Sequence, residues 1–292
     1  MICLSCKNKI NLPSFSCQNC NQKLIIDDDI YDFFFRDEKY EEYSKNYNDE
    51  AIYDLKDGAY SDRYLLNQAL NLINFSKKYI NNDSKILDVG IGRGYLVREL
   101  LSRFNTCEFY GVDIAKPYLN NLGSHKNLFK IFANAENLPF ENEIDIIYLS
   151  DVAEHVINFG NLVYSVNKSL KRGGKLIIKV PLENYLANQL NHADRNYSRK
   201  QNHLRAFDKY ILYTNLNAGG FKCLDYRYDG YSIFMPKKII SKNDYLRRKF
   251  NEKYQPAMRK KFQYIEDITL IENKIYTLPL QANEIIVIAT KK

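Results

Sequence analysis

Long apolar runs are missing from this 292-residue sequence. No stretch reaches eighteen apolar residues, so no membrane insertion is expected. The start, MICLSCKNKI, lacks the basic-then-apolar layout of a secretory signal peptide. Both absences place the chain in the cytoplasm as an expectation. Cysteine is scarce, six in all, yet Cys3, Cys6, Cys17 and Cys20 crowd into the first twenty residues. Thiols stay reduced in the cytosol, so such a cluster reads as metal ligands rather than disulfides. Cys107 and Cys223 sit in strand-like runs and read as small buried hydrophobes. Histidine is scarcer still, with only His125, His155, His192 and His203. Neither an internal repeat nor a low-complexity tract is apparent.

What is present can build a full core. A 45% hydrophobic content over this length suggests one large α/β domain plus something small. The net charge is +7, and residues 236–262 hold ten Lys or Arg against two acids, which leaves the rest nearly neutral. That segment could receive an anionic substrate or nucleic acid, or form a solvated helix face, and both readings stay open.

The two C-x-x-C pairs lie ten residues apart, the pattern of tetrahedral Cys₄ zinc coordination. A zinc ribbon over residues 1–28 follows, too small to fold on a hydrophobic core alone. Residues 29–60 mix aromatic and acidic side chains without strand alternation (YDFFFRDEKYEEYSKNY) and read as a linker with an irregular helical cap over the active site. From a Ser61 cap, Tyr64, Leu65, Ala69, Leu72, Ile73 and Phe75 recur near helical spacing over 61–80. Strand-like runs then follow at 85–89, 109–113, 127–132, 144–150 and 175–180, with helical patterns at 93–104, 116–122 and 160–171, the last ended by Gly173-Gly174. A helix over 206–218 and strands at 221–228 and 283–290 complete the pattern. Such alternation predicts an α/β fold with a parallel sheet covered on both faces. The main domain spans 61–292, with insertions at about 181–205 and 231–281.

Ile86-Leu-Asp88-Val-Gly90-Ile-Gly92-Arg-Gly94 is a strand running through a glycine-rich turn into a helix. Backbone can approach a ligand closely there, and helix N-terminal amides face it, so a nucleoside cofactor is implied. The dinucleotide fingerprint needs a glycine where Tyr95 stands, which argues against NAD. Asp113, closing the next strand before Ile114, can accept hydrogen bonds from both ribose hydroxyls. Ala133-Asn134-Ala135-Glu136-Asn137-Leu138-Pro139-Phe140 precedes the fourth strand, and Ser150-Asp151-Val-Ala-Glu154-His155-Val156 follows it.

These four blocks, in this order, closely resemble the class I S-adenosylmethionine-dependent methyltransferases over roughly residues 60–230. The resemblance implies a Rossmann-like sheet of seven strands with helices on both faces. It also implies a cofactor site at Asp88, Gly90, Gly92, Gly94, Asp113, Ile114, Asn134, Ala135 and Ser150, with the glycines at the methionine part, Asp113 at the ribose and Asn134-Ala135 at the adenine. The family usually carries Asp where this chain has Asn134, whose amide oxygen can still accept from the adenine amino group.

The Asp151-x-x-Glu154-His155 stretch resembles the E-x-x-E-H element of the ubiquinone-biosynthesis O-methyltransferases and of the small-RNA 3′-terminal ribose methyltransferases. In those enzymes it can hold a divalent metal, and a later loop supplies a second His in the RNA enzymes, a place comparable to His203. The resemblance thus nominates Asp151, Glu154, His155 and His203 for Mg²⁺ or Mn²⁺, which would polarise the acceptor oxygen. Two other readings stand: His155 or His203 as metal-free catalytic groups, and Glu-His as a structural brace. His125 reads as a surface turn residue, and His192, beside Asp194 and Arg195, is open between substrate contact and surface.

The expected function is therefore O-methylation of a small polar or anionic metabolite: a sugar, nucleotide-sugar, phosphate-containing intermediate or quinol. An RNA acceptor is the alternative, suggested by ribbon and basic segment, although no separate RNA-binding domain is present. A non-catalytic cofactor-binding scaffold is the third. A similar ribbon precedes the fold in a bacterial ribosomal-RNA guanine methyltransferase and in several small-molecule methyltransferases, so it does not choose between them.

Overall fold

The computed structural model describes residues 1–292 except 4, 35, 37, 59, 183–202, 206, 231, 234–268 and 273–276. The chain opens with the cysteine module, whose last segment is a hairpin of β1 (Ile25–Asp27) and β2 (Ile30–Asp32). Next come helices α1 (Glu38–Asp57) and α2 (Asp62–Ser76). Ser61 caps α2 as its sequence position predicts, its side chain accepting from the Tyr64 amide at 3.3 Å. Then follow β3 (Lys85–Val89), α3 (Tyr95–Arg103), β4 (Glu108–Asp113), α4 (Lys116–Asn121), β5 (Leu128–Phe132), β6 (Ile144–Ser150), α5 (Phe159–Ser169) and β7 (Leu170–Pro181). After α6 (Lys209–Ala218) and β8 (Phe221–Asp229) come the short strands β9 (Ser232–Ile233), β10 (Thr269–Glu272) and β11 (Thr277–Gln281), then β12 (Glu284–Lys291).

The main sheet runs β1-β2-β5-β4-β3-β6-β7-β12-β8. Seven of its strands, β5-β4-β3-β6-β7-β12-β8, are the expected methyltransferase sheet, parallel except for β12, which is antiparallel to both neighbours. The other two strands come from the N-terminal hairpin. β2 pairs in parallel with β5, so the cysteine module extends the sheet at an edge that would otherwise be open. The boundary drawn at residue 28 falls in the turn of that hairpin.

Period-two alternation splits the core between the sheet's faces. Leu87, Val89, Ile147, Leu149, Ile178, Val180, Ile285 and Val287 pack with α5, α6 and, at one end, Ile10 and Cys17 of the cysteine module. Ile86, Ile146, Tyr148, Ile177, Ile286 and Ile288 pack with α2 and α3 on the other face. Chain order reverses between β3 and β6, where two neighbouring parallel strands send their crossovers in opposite directions. That is the topological switch point at which open α/β sheets bind ligands.

Two local readings are corrected. The segment expected as an irregular cap is a continuous twenty-residue helix, α1. Gly173-Gly174 does not end a helix: α5 stops at Ser169 and β7 already includes the glycines, next to a register shift against β6. The two cysteine knuckles repeat one another, with the amides of Lys7 and Asn21 bonded to the carbonyls of Cys3 and Cys17, and bridges Ile2–Lys9 and Ser16–Lys23 behind them. The basic segment 236–262 and His192 lie outside the described residues. Among the described residues, no helix is long and apolar enough to cross a membrane.

Candidate active site

The cysteine module shows how its knuckles were legible in the spacing. The two knuckles face one another, and their four Sγ atoms lie within 4.8 Å of one another. Cys3 and Cys20 are 3.8 Å apart, Cys6 and Cys17 3.6 Å. Zn–S bonds of about 2.3 Å in a tetrahedron put sulfurs about 3.8 Å apart, so the cluster fits a zinc ribbon. Hydrogen bonding, first from the Asn8 amide, pulls the Cys6 thiol down to about 6, which makes a thiolate available at neutral pH.

Beyond the carboxyl ends of β3, β4, β5 and β6 lies a cavity of about 370 Å³. All nine residues that the sequence nominates for the cofactor line it: Asp88, Gly90, Gly92, Gly94, Asp113, Ile114, Asn134, Ala135 and Ser150. Gly90 and Gly94 hold φ near +72° and +78°, and a Cβ at Gly90 would strike Val152, so the turn needs both backbone freedom and absent side chains. Asp113 braces this turn from β4, accepting from the Gly92 amide at 3.2 Å and the Ala115 amide at 2.8 Å. Burial raises its carboxyl to about 6 even against those amides. Asp88 is buried with Oδ2 lacking any hydrogen-bond partner, and burial, then the charge of Asp113, raises it to about 8. Asn134 caps the short turn after β5, its side-chain oxygen accepting from the Glu136 amide at 2.9 Å. That oxygen thus has one bond already, and its second lone pair remains for a ligand.

The cap expected from residues 29–60 is the roof that α1 forms. Tyr43, Tyr47 and Glu50 of α1 line the cavity from above, Leu65, Ala69 and Leu72 of α2 from the side, and Tyr118 of α4 closes it. Arg93, between two glycines of the turn, grips Asp54 of α1 with Nε and Nη2 at 3.0 and 2.9 Å. The only sequence signal for α1 was its aromatic density.

At the far end stand the groups nominated for chemistry. Glu154, His155 and His203 present ligand atoms within 4.8 Å of one another. The His155 and His203 rings meet edge-to-face at 4.8 Å, and His155 lines the cavity. A residue the sequence left unremarked makes this junction. Arg205 donates to the carbonyls of Ala153 (2.8 Å), Val156 and Ile157 (3.0 Å), while the Leu204 amide bonds the Glu154 carbonyl at 2.8 Å. Burial lowers His203, keeping it neutral, and raises Glu154, whose Oε2 is buried without a partner.

Asp151 does not join this group, which corrects the four-ligand set. Its left-handed backbone, φ 56°, turns the carboxylate to the buried ammonium of Lys179 at 2.7 Å. Burial works against that ammonium, but Asp151 and Glu284, the latter at 3.4 Å, hold it charged, well above the ordinary lysine range. His125 is exposed, its Nδ1 accepting from the Asn127 amide at 3.2 Å.

Comparison with known proteins settles the family. Residues 61–226 match the family described as "Methyltransferase domain". The chain belongs to that family. It is 34% identical over 107 residues to the ubiquinone/menaquinone biosynthesis C-methyltransferase UbiE of Wigglesworthia glossinidia brevipalpis, covering 34% of this chain and 43% of that protein. The chain thus spans less than half the length of the curated relatives it matches. Among solved structures, a methyltransferase from Bacillus halodurans C-125 superposes with a TM-score of 0.54 at 16% identity, over 77% of this chain and 99% of that one. A chain of the complex between the Haloferax volcanii Trm112 methyltransferase activator and a methyltransferase gives 0.55 at 13% identity, over 88% and 99%. These two likenesses concern the fold.

The chain thus carries a domain of the class I S-adenosylmethionine-dependent methyltransferase kind. The cavity's chemistry fits that cofactor. An unpartnered buried carboxylate at Asp88 and the buried Asp113 beside it suit a ligand carrying ammonium and sulfonium charge. The methyltransferase's glycine turn and apolar walls suit the rest.

Proposed function

We propose that this methyltransferase transfers the methyl group to an oxygen of a small polar or anionic metabolite such as a sugar, nucleotide-sugar, phosphate-containing intermediate or quinol. The observation that carries the reading is the gathering of Glu154, His155 and His203 at one end of the cavity that the cofactor residues line. S-adenosylmethionine supplies an electrophilic methyl on a sulfonium, and displacement must be in line. What the chain adds is alignment and removal of the hydroxyl proton. His203, held neutral by burial, can accept that proton, and His155, in ring contact with it, reaches the cavity.

A divalent ion also fits. One buried carboxylate oxygen without a partner and two imidazoles are a donor set for a first-row dication, and Glu154, His155 and His203 would hold it. Bound there, it would polarise the acceptor oxygen and lower its pKa. The roof formed by α1 supports a small acceptor that enters the cavity rather than a polymer lying across it.

The test is release of S-adenosylhomocysteine against a panel of sugars, nucleotide-sugars, phosphorylated metabolites, quinols and small RNAs, with and without Mg²⁺ or Mn²⁺. Turnover with a hydroxyl metabolite that disappears in His155→Ala and His203→Ala supports the proposal. Turnover with RNA alone, or insensitive to both substitutions, overturns it.

A further inference from the structure

Helix α1 crosses the carboxyl ends of four parallel strands and is bonded to the chain that follows each. Beyond β3, Arg93 holds Asp54 through the forked pair described above, and its Nη2 also donates to the Asp54 carbonyl at 2.6 Å. Beyond β4, Ser44 donates to the Ile114 carbonyl at 2.7 Å, Asn48 accepts from the Lys116 amide at 2.9 Å, and Tyr118 donates to Asp54 at 3.0 Å. Beyond β5, Tyr40 donates to Glu136 at 2.9 Å. Beyond β6, Tyr43 donates to the His155 carbonyl at 2.7 Å.

Besides these bonds, the helix packs through the partly buried rings of Tyr40, Tyr43 and Tyr47, and it buries few side chains fully. Of its residues with described side chains, only Ser44 and Ala51 are buried, and Ile52 and Tyr53 face solvent. An element that buries few side chains fully and depends on polar bonds for its seat opens before the rest of a fold. Its two ends are unequal. The amino end follows β2, which is paired into the sheet, with the Phe33 amide bonded to the Phe132 carbonyl at 2.9 Å. The carboxyl end rests on Asp54, where a Cβ at Gly58 would collide with Arg93.

We propose that α1 is the gate for cofactor exchange, hinged at β2 and latched by Arg93 and Asp54. Cofactor entry and product departure require the helix to lift from the loops, and breaking the latch speeds both. This rests on the cavity being the S-adenosylmethionine site. Asp54 does not line the cavity, so its loss should destabilise the closed form whether or not cofactor is bound. Association and dissociation then accelerate together while the equilibrium constant changes little. A residue that merely touched the ligand would alter dissociation and affinity in proportion.

The experiment measures association and dissociation of labelled S-adenosylhomocysteine by rapid filtration for wild type, Asp54→Ala and Ser44→Ala/Asn48→Ala, with thermal melts to verify folding. The expected result is both rates up about tenfold in Asp54→Ala, and a smaller parallel rise in the double variant, with Kd within about threefold. Hydrogen exchange along residues 38–57 should quicken in both variants relative to α3. Unchanged rates, or a dissociation rate that rises with Kd in step, overturns the gate alone. Failure of the folded wild type to bind S-adenosylhomocysteine overturns the cofactor reading, and the gate with it.

Discussion

Asp88 and Asp113 end neighbouring parallel strands and bury their carboxyl groups in the wall of one cavity. Burial raises both, Asp88 to about 8 and Asp113 to about 6, and the charge of Asp113 adds to the rise at Asp88. An unfolded aspartate titrates near ~3.9. The folded chain therefore keeps protons that the unfolded chain has lost, and stability from these two groups declines as pH rises from about 4 to about 8. A cationic ligand favours the ionised pair and reverses this.

Binding of S-adenosylmethionine should accordingly release protons near neutral pH and tighten from pH 6 to pH 8. Calorimetric titrations at pH 7 in two buffers of different ionisation enthalpy measure the proton count. Net proton uptake would contradict the assignment of these carboxyls as counter-charges.

Substitutions in the glycine turn should rank by geometry. Gly90→Ala meets both a left-handed φ and the side chain of Val152, whereas Gly92→Ala meets the φ penalty and open space. Strain of this kind is about 1–3 kcal/mol per site, so Gly90→Ala should lower stability by about 2 kcal/mol or more and Gly92→Ala by about 1. Chemical denaturation of the two variants checks the order.

The cysteine cluster should carry about one zinc per chain, lost in Cys3→Ser or Cys17→Ser, by elemental analysis. Because β1 and β2 continue from this module into the main sheet, metal loss should also reach the cavity. Chelation should speed amide exchange in β2 and along residues 38–57 and weaken S-adenosylhomocysteine binding. Exchange confined to residues 1–24 would show that the module is mechanically separate.

Much of the cavity could be read from sequence because its parts are local. Gly90, Gly92, Gly94, Asp113 and Asn134 each sit at a strand end or turn where backbone geometry selects the residue type. The roof was legible only as a cap, without its contacts. Tyr43 meets His155 across 112 positions of sequence, and nothing in its neighbourhood marks that contact. Lys179 lies in an apolar run and reads as an ordinary strand residue, yet it is a buried cation that draws Asp151 away from Glu154 and His155. The nomination of Asp151 as a metal ligand came from the resemblance to the E-x-x-E-H element, and a resemblance does not see which charge lies across the neighbouring strand. Arg205 was equally silent, since its partners are backbone carbonyls with no sequence signature.

Arg205 should therefore matter as a positioning residue. Arg205→Lys keeps the charge but cannot fork to the carbonyls of Ala153, Val156 and Ile157. It should reduce turnover at least about tenfold while leaving S-adenosylmethionine affinity within about threefold, because the cofactor residues lie elsewhere in the cavity. Glu154→Gln should leave the fold intact, since a near-isosteric amide replaces a carboxyl whose charge burial disfavours, and should remove any stimulation by Mg²⁺ or Mn²⁺. Kinetics with the acceptor identified by the panel read both effects.

Equilibrium titration of S-adenosylmethionine into the wild-type chain and into Asp113→Asn tests the central claim most directly. The account predicts one site per chain in the wild type and affinity reduced about tenfold or more, ~1.4 kcal/mol, in the variant with its melting temperature little changed. No binding to the folded wild type, or equal affinity in both proteins, would contradict the placement of the cofactor in this cavity.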